Sequence, residues 1–368
     1  MSQPVEAADE TVRADGTPVL TVEGLDVTIG GAARAVRDVS LSLGRGESVG
    51  LVGESGSGKS LTCRAVLGVL PPGCEVGQGS ITLTVRDGET DAPTELTALS
   101  RKGWNGVRGR RVGAVFQDPA SYLNPSLTVG RQLTEQLRVG RGLSRSAAHA
   151  RAVELFAAVG LHRPDELCHQ YPHELSGGML QRVLIAIAVS CEPELLIADE
   201  ATTALDVVVQ AEILDLLGTL RQERGLALLL VTHDLAVVAE SCDRVVVMYA
   251  GEIVEDGPTA QVLAAPAHPY TQALLRVASI GDWGRRELDI IPGRPPETGE
   301  NLPGCRFAER CAYAEPECTA GPVALRTLGD GRRARCPLPT RPPGLREPAD
   351  ADALPAAGRT VAAQGAAL

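Results

Sequence analysis

The eight residues GESGSGKS, Gly53 to Ser60, set three glycines and three serines around one lysine. This is the G-x-x-x-x-G-K-[ST] spacing at which a chain can wrap its own N–H groups around phosphate. Gly53, Glu54, Ser55, Gly56, Ser57 and Gly58 would form the wrap, Lys59 would meet the β and γ oxygens of a nucleotide, and Ser60 would place its hydroxyl on Mg²⁺. Leu61 follows in the first turn of a helix whose N-terminus favours anions. Such a site also needs a carboxylate for the metal and a group that orients water. The run ELLIADE, Glu194 to Glu200, ends in two acids. Asp199 would hold Mg²⁺, directly or through water, and Glu200 would act as general base toward the attacking water. Taken by themselves, these two acids could equally be solvated charges at a strand end.

A second group with chemistry in it is Cys305, Cys311, Cys318 and Cys336, gathered within 32 residues. Four thiolates from a loop-rich segment can complete a tetrahedral zinc site or hold a [4Fe–4S] cluster, and the spacing alone does not choose. No C-x₂-C pair is present, which weakens the zinc-ribbon reading. Unmetallated thiols packing a small unit remain the third alternative. Cys63, Cys74, Cys168, Cys191 and Cys242 are scattered through apolar or mixed segments and read as small hydrophobes.

Something must position these groups. Val19 to Ile29 and Val36 to Leu43 read as antiparallel strands, and Glu47 to Val52 as a buried strand entering the glycine-rich turn. A helix starts near Ser60. Short β-rich runs recur at Ser80 to Val85, Val112 to Phe116, Leu195 to Ala198, Leu226 to Val231 and Val245 to Tyr249, separated by helical patterns such as Val207 to Arg224. That βαβ rhythm predicts an α/β fold with a mainly parallel sheet covered by helices. From Thr128 to Val189 the pattern is helical throughout. After Pro266 it turns to Pro, Gly and Cys with little periodicity, which predicts a second, smaller domain. The expected division is a tail over 1–17, a nucleotide-binding domain over 18–265 with a helical subdomain at about 118–185, a cysteine-bearing domain over 266–340, and a tail over 341–368. The tails, one polar and acidic and the other rich in Pro, Ala and Gly, read as disordered.

Composition excludes other classes. Lys plus Arg total 35 against 46 Asp plus Glu, a net charge of −11 across 368 residues. That balance argues against a phosphate-backbone footprint, so nucleic acid is not an expected partner. The acidic opening MSQPVEAADE has no signal-peptide pattern, and no apolar run reaches the roughly 18 residues a spanning helix needs. The expectation is a chain on the cytoplasmic side that cannot form a channel itself.

LSGGM, Leu175 to Met179, resembles the signature motif of ABC cassettes. The remaining family motifs follow in order: Gln117 in VFQDP resembles the Q-loop, Ala204-Leu205-Asp206 the D-loop, and His233 in VTHDL the switch histidine. The resemblance implies a RecA-like parallel core with an antiparallel β subdomain and a helical subdomain. It also implies that two cassettes close face to face, with Ser176, Gly177 and Gly178 of one meeting the phosphates on the other. Gln117 would then join Ser60 and Asp199 at Mg²⁺, and His233 would contact the γ-phosphate.

YPHELSGGMLQRV, ADEATTALDVVVQAEIL and His268-Pro269-Tyr270 narrow the resemblance to the dipeptide and oligopeptide permease ATPases, over roughly residues 19–340. That family implies ATP-driven peptide uptake, a second homologous ATPase in a heterodimer, two transmembrane permease subunits and an extracytoplasmic peptide-binding protein. Members carry a C-terminal iron–sulfur cluster at such cysteines, which makes a [4Fe–4S] cluster the implied group here, with zinc as the alternative. Asp118 to Pro125 and the helical insertion would contact the membrane subunits.

Three positions depart from the pattern: Ile29 stands where an aromatic usually stacks on adenine, Leu180 where Arg is usual, and Ala201 where Pro is usual. Import of another small solute, such as a nickel chelate or an oligosaccharide, and a soluble ABC ATPase of DNA repair or translation are the competing readings.

Overall fold

The computed structural model describes residues 17–87, 90–201, 207–278, 291–329 and 331–338. Residues 1–16 of the N-terminal tail, the C-terminal tail and Ala204-Leu205-Asp206 lie outside the described residues.

Strands β1 (Leu20–Ile29), β2 (Ala33–Leu43), β3 (Ser48–Val52), β4 (Cys74–Asp87), β5 (Thr90–Glu95), β6 (Val112–Phe116), β7 (Leu195–Asp199), β8 (Ala227–Thr232), β9 (Arg244–Tyr249), β10 (Glu252–Pro258), β11 (Arg326–Thr327) and β12 (Arg333–Ala334) form two sheets among the described residues. The first, β2-β1-β4-β5, is antiparallel throughout. The second runs β11-β12-β10-β9-β3-β8-β7-β6, and its five strands from β9 to β6 pair in parallel.

The sequence explains the difference. β3, β7 and β8 are SVGLV, LLIAD and ALLLVT, buried at every position. A strand that is apolar on both faces needs cover on both, which a parallel sheet with crossover helices supplies. Successive side chains then feed two cores: Leu228 and Leu230 enter the one shared with the helical region, while Ala227, Leu229 and Val231 enter the one shared with the antiparallel sheet.

Between β6 and β7 the chain is helical, as predicted. Helices Val129–Arg141, Arg145–Ala158 and Gly177–Val189 carry side-chain caps from Thr128, Ser144 and Ser176. Each hydroxyl accepts an N–H of the first turn that has no helical partner.

The sequence places a separate unit after Pro266, yet its described residues share the cassette's sheet and core. Helix Pro269–Ala278 buries Tyr270, β12 pairs with β10, and Ile291, Tyr270 and Phe307 join the same buried cluster as Tyr249 and Val254. A loop-rich segment with little apolar content has no core of its own to fold around, so it borrows one.

Candidate functional site

The carboxyl ends of four adjacent parallel strands assemble the site. Phosphate-loop residues follow Val52 at the end of β3, His233 follows Thr232 on β8, Asp199 ends β7, and Gln117 follows Phe116 on β6. The register aligns these ends, with Val52 opposite Thr232, Val231 opposite Asp199, and Asp199 opposite Phe116. The mouth of an open α/β sheet beyond its strand ends is where ligands bind in such folds.

Glycine is required where the loop leaves β3. Gly53 has φ +151°, and a Cβ there would lie 2.2 Å from the Met248 carbonyl oxygen. Gly58, at φ +103°, caps the helix Lys59–Val66 in a left-handed conformation that L side chains resist. Within the loop the Lys59 ammonium donates to the carbonyls of Gly53 at 2.7 Å and Glu54 at 2.9 Å, with Ser57 Oγ at 3.5 Å. Burial pushes its pKa down, while the charges of Glu200 and Asp199 oppose the shift. A buried ammonium whose hydrogen bonds go to neutral carbonyl and hydroxyl oxygens, with carboxylates only nearby, is suited to exchange those contacts for a phosphate.

Asp199 is buried as well, and burial raises its pKa; the hydrogen bond from Ser60 Oγ to Asp199 Oδ1, 3.1 Å long, works against that rise. A buried carboxylate touching a hydroxyl fits a hard divalent cation, which takes oxygen ligands. Glu200, the next residue, has φ +50° and donates its backbone N–H to Val231 O at 2.9 Å. A non-glycine residue in that region is strained by about 1–3 kcal/mol, and such strain concentrates at functional sites. His233 Nδ1 is 3.8 Å from Glu200 Oε1. Glu200, Asp199, Ser60, Lys59 and His233 are therefore one constellation. Gln117 is exposed at its edge, before Asp118, which caps the short helix Pro119–Tyr122.

Ser176 caps its helix through Met179 N–H at 3.3 Å and is exposed, as is Gly177. Gly178 packs so close to Val209 that a Cβ would meet Cγ1 at 2.9 Å. Phosphate-loop polar contacts run to Asp199, Tyr270, Arg310 and Gly251, not to these three residues. Ile29 is 40% exposed at the end of β1, and Leu180 and Ala201 are buried.

Cys305, Cys311, Cys318 and Cys336 are all free thiols. Burial raises the pKa of Cys305 to about 11, and the other three thiols add to that rise, so the four share one neighbourhood. Cys305 N–H donates to Cys318 O at 2.7 Å, tying two of them together through the backbone. Among the described residues no three His, Cys, Asp or Glu side chains are gathered as a single-ion cage.

No motif in the sequence points to Arg310. Its guanidinium forks onto Glu54 with bonds of 2.7 and 3.0 Å, and Tyr270 Oη accepts the Glu54 backbone N–H at 2.8 Å. The contact spans 256 positions, so no local pattern could have revealed it.

Fold and site together define an ABC ATPase. The family model described as ABC transporter matches residues 36–203, and the one described as oligopeptide/dipeptide transporter, C-terminal region, matches 254–318. The oligopeptide transport ATP-binding protein AppD of Bacillus subtilis is 45% identical, covering 82% of this chain and 90% of its own. The dipeptide transport ATP-binding protein DppD of Escherichia coli is 43% identical, covering 87% and 97%. Among solved structures, a dimeric ATP-binding cassette in a post-hydrolysis state, bound to ADP and Pi, superposes with a TM-score of 0.56 at 26% identity, covering 65% of this chain and 98% of that one. The chain belongs to the ATP-binding proteins of the dipeptide and oligopeptide permease family.

No helix among the described residues is long and apolar enough to cross a membrane.

Proposed function

We propose that the chain binds and hydrolyses ATP at the cytoplasmic face of the membrane and so drives uptake of di- or oligopeptides through permease subunits made by other polypeptides. The observation that carries this reading is the likeness to AppD and DppD, which runs through the cassette and on into the C-terminal region.

In the mechanism, the loop Gly53–Ser60 holds the nucleotide phosphates and Lys59 gives up its carbonyl contacts for the β and γ oxygens. Mg²⁺, held by Ser60, Asp199 and Gln117, would neutralise phosphate charge. Glu200 accepts the proton of the attacking water, and its backbone bond to Val231 anchors the main chain that carries it. His233, whose Nδ1 lies 3.8 Å from Glu200 Oε1, would contact the γ-phosphate and report its presence. Ser176, Gly177 and Gly178, exposed or half-buried at a helix N-terminus, complete the site of a partner cassette, a homologous second subunit. An extracytoplasmic peptide-binding protein and two permease subunits complete the assembly.

The cysteine region, in the unit running from 266 to about 340, holds a [4Fe–4S] cluster in a structural role. Four free sulfur donors within electrostatic reach of one another support this reading, and a segment with so little core gains from a covalent staple.

The test is uptake of labelled di- to pentapeptides into vesicles bearing the whole complex, with ATP inside. ATP-dependent accumulation that vanishes in Lys59→Ala supports the reading; accumulation of a nickel chelate or an oligosaccharide but of no peptide refutes the substrate class.

A further inference from the structure

Arg310 is one of the least expected groups in the molecule. It lies in the cysteine region, its side chain is 4% exposed, and every nitrogen of its guanidinium has an acceptor. Nη1 donates to Glu54 Oε2 at 2.7 Å and to Tyr249 Oη at 3.1 Å; Nη2 donates to Glu54 Oε1 at 3.0 Å and Ile291 O at 3.1 Å; Nε donates to Pro292 O at 2.9 Å. The guanidinium also stacks over the rings of Tyr249 and Phe307, 5.6 and 5.8 Å from their centroids. A charge this buried stays only where its partners are fixed, and its one anionic partner is Glu54.

Glu54 is the second residue of the phosphate loop. Its carboxylate is gripped by Arg310, its N–H donates to Tyr270 Oη, and its carbonyl accepts from Lys59 at 2.9 Å. A chain of direct contacts therefore runs from Arg310 through Glu54 to the lysine that must meet phosphate. The same C-terminal segment reaches the hairpin next to Ile29. The Glu300 carbonyl accepts from Arg37 and from Arg306, both at 2.9 Å, and a Cβ on Gly299 would lie 2.7 Å from that of Ala33. The segment touches the cassette at the phosphate end and beside the expected adenine end.

We infer that Arg310 is a positioning residue of the nucleotide site: by forking onto Glu54 it holds the phosphate loop in its binding conformation, so that the C-terminal region sets the affinity for ATP. The inference rests on the ATPase reading and not on the peptide one. A fork with two parallel bonds fixes both distance and orientation of the carboxylate, which a lysine ammonium cannot do.

The test uses the purified full-length chain, with binding of a fluorescent ATP analogue in Mg²⁺ and melting temperature measured on each variant. Lys59→Ala is the reference for loss of the nucleotide site. Arg310→Gln and Glu54→Gln should each weaken binding about tenfold. The double variant should be no weaker than either single one, because both remove the same contact. Arg310→Lys should fail to restore affinity, whereas Tyr249→Phe, which removes an Arg310 partner but leaves the fork onto Glu54 in place, should bind as wild type. In the assembled complex the ATPase KM should rise with kcat at saturating ATP nearly unchanged. If Arg310→Gln does not fold, Glu54→Gln, with its near-identical shape, decides by itself. Wild-type affinity in Glu54→Gln, additive losses, or equal weakening by Tyr249→Phe would overturn the assignment while the Lys59→Ala reference leaves the nucleotide site standing.

Discussion

The Ser60 hydroxyl and the Asp199 carboxylate, 139 positions apart in sequence, are hydrogen-bonded at 3.1 Å. The bond joins the phosphate loop after β3 to the end of β7 across the intervening strand β8, at the place proposed for Mg²⁺. Replacing Ser60 with Ala should remove one metal oxygen and leave Asp199 with less support. The expected result is an Mg²⁺ requirement for ATP turnover raised about 10- to 100-fold, read by titrating Mg²⁺ at saturating ATP.

Glu200 sits beyond Asp199 in a strained backbone conformation, its carboxylate free of the Ser60 contact. Glu200→Gln keeps the shape and loses the base. Nucleotide binding should be unchanged within experimental error while turnover falls by about 10² to 10⁴, as single-turnover assays would report.

His268 is fully buried, and burial lowers its pKa to about 3, with the Arg335 charge pushing the same way and a hydrogen bond to the Arg335 backbone opposing it. Its Nδ1 accepts the Tyr270 N–H at 3.1 Å, so the neutral ring is the one the fold uses. The unfolded chain takes up a proton below pH 6.5, its ordinary value, and the folded chain does not until near pH 3. Stability should therefore be complete above pH 6.5 and fall as pH drops through that window, by up to about 1.4 kcal/mol per unit. Denaturant melts from pH 7 to 4 check this, and His268→Gln should flatten the slope.

Cysteine-to-serine changes separate the readings of the C-terminal thiols. Cys311→Ser should lower iron and acid-labile sulfide in the purified chain and abolish broad visible absorption. Zinc without sulfide in the wild type would replace the iron–sulfur proposal, and neither metal would leave the thiols as packing groups.

The parallel core was legible because its strands are short apolar runs bounded by turns: Val112–Phe116 and the helix Val207–Arg224 have the limits expected from sequence. The chemistry-bearing residues were legible for a related reason, since each belongs to a motif whose neighbours are close in sequence. β5 and β10 were not. β5 is the edge strand TDAPTE, polar and largely exposed, with nothing apolar to set its period. β10 is EIVEDGP, whose Glu255 and Asp256 look like turn residues but are buried. Glu255 accepts the N–H groups of Ala267 and His268, and Asp256 pairs with Arg244 and Arg333. Those partners come from elsewhere in the chain, so the strand is visible only once the fold exists. The same is true of Arg310 and of the docking of residues 291–311, which depends on contacts with Arg37, Glu54 and Tyr249.

If ATP hydrolysis at Glu200 drives peptide movement, peptide should stimulate the ATPase activity of the whole complex reconstituted with its binding protein. Addition of di- to pentapeptides should raise the hydrolysis rate several-fold in the wild type and leave Glu200→Gln at background. Full ATPase activity in the wild type that no peptide changes, alongside stimulation by an unrelated small solute, would contradict it.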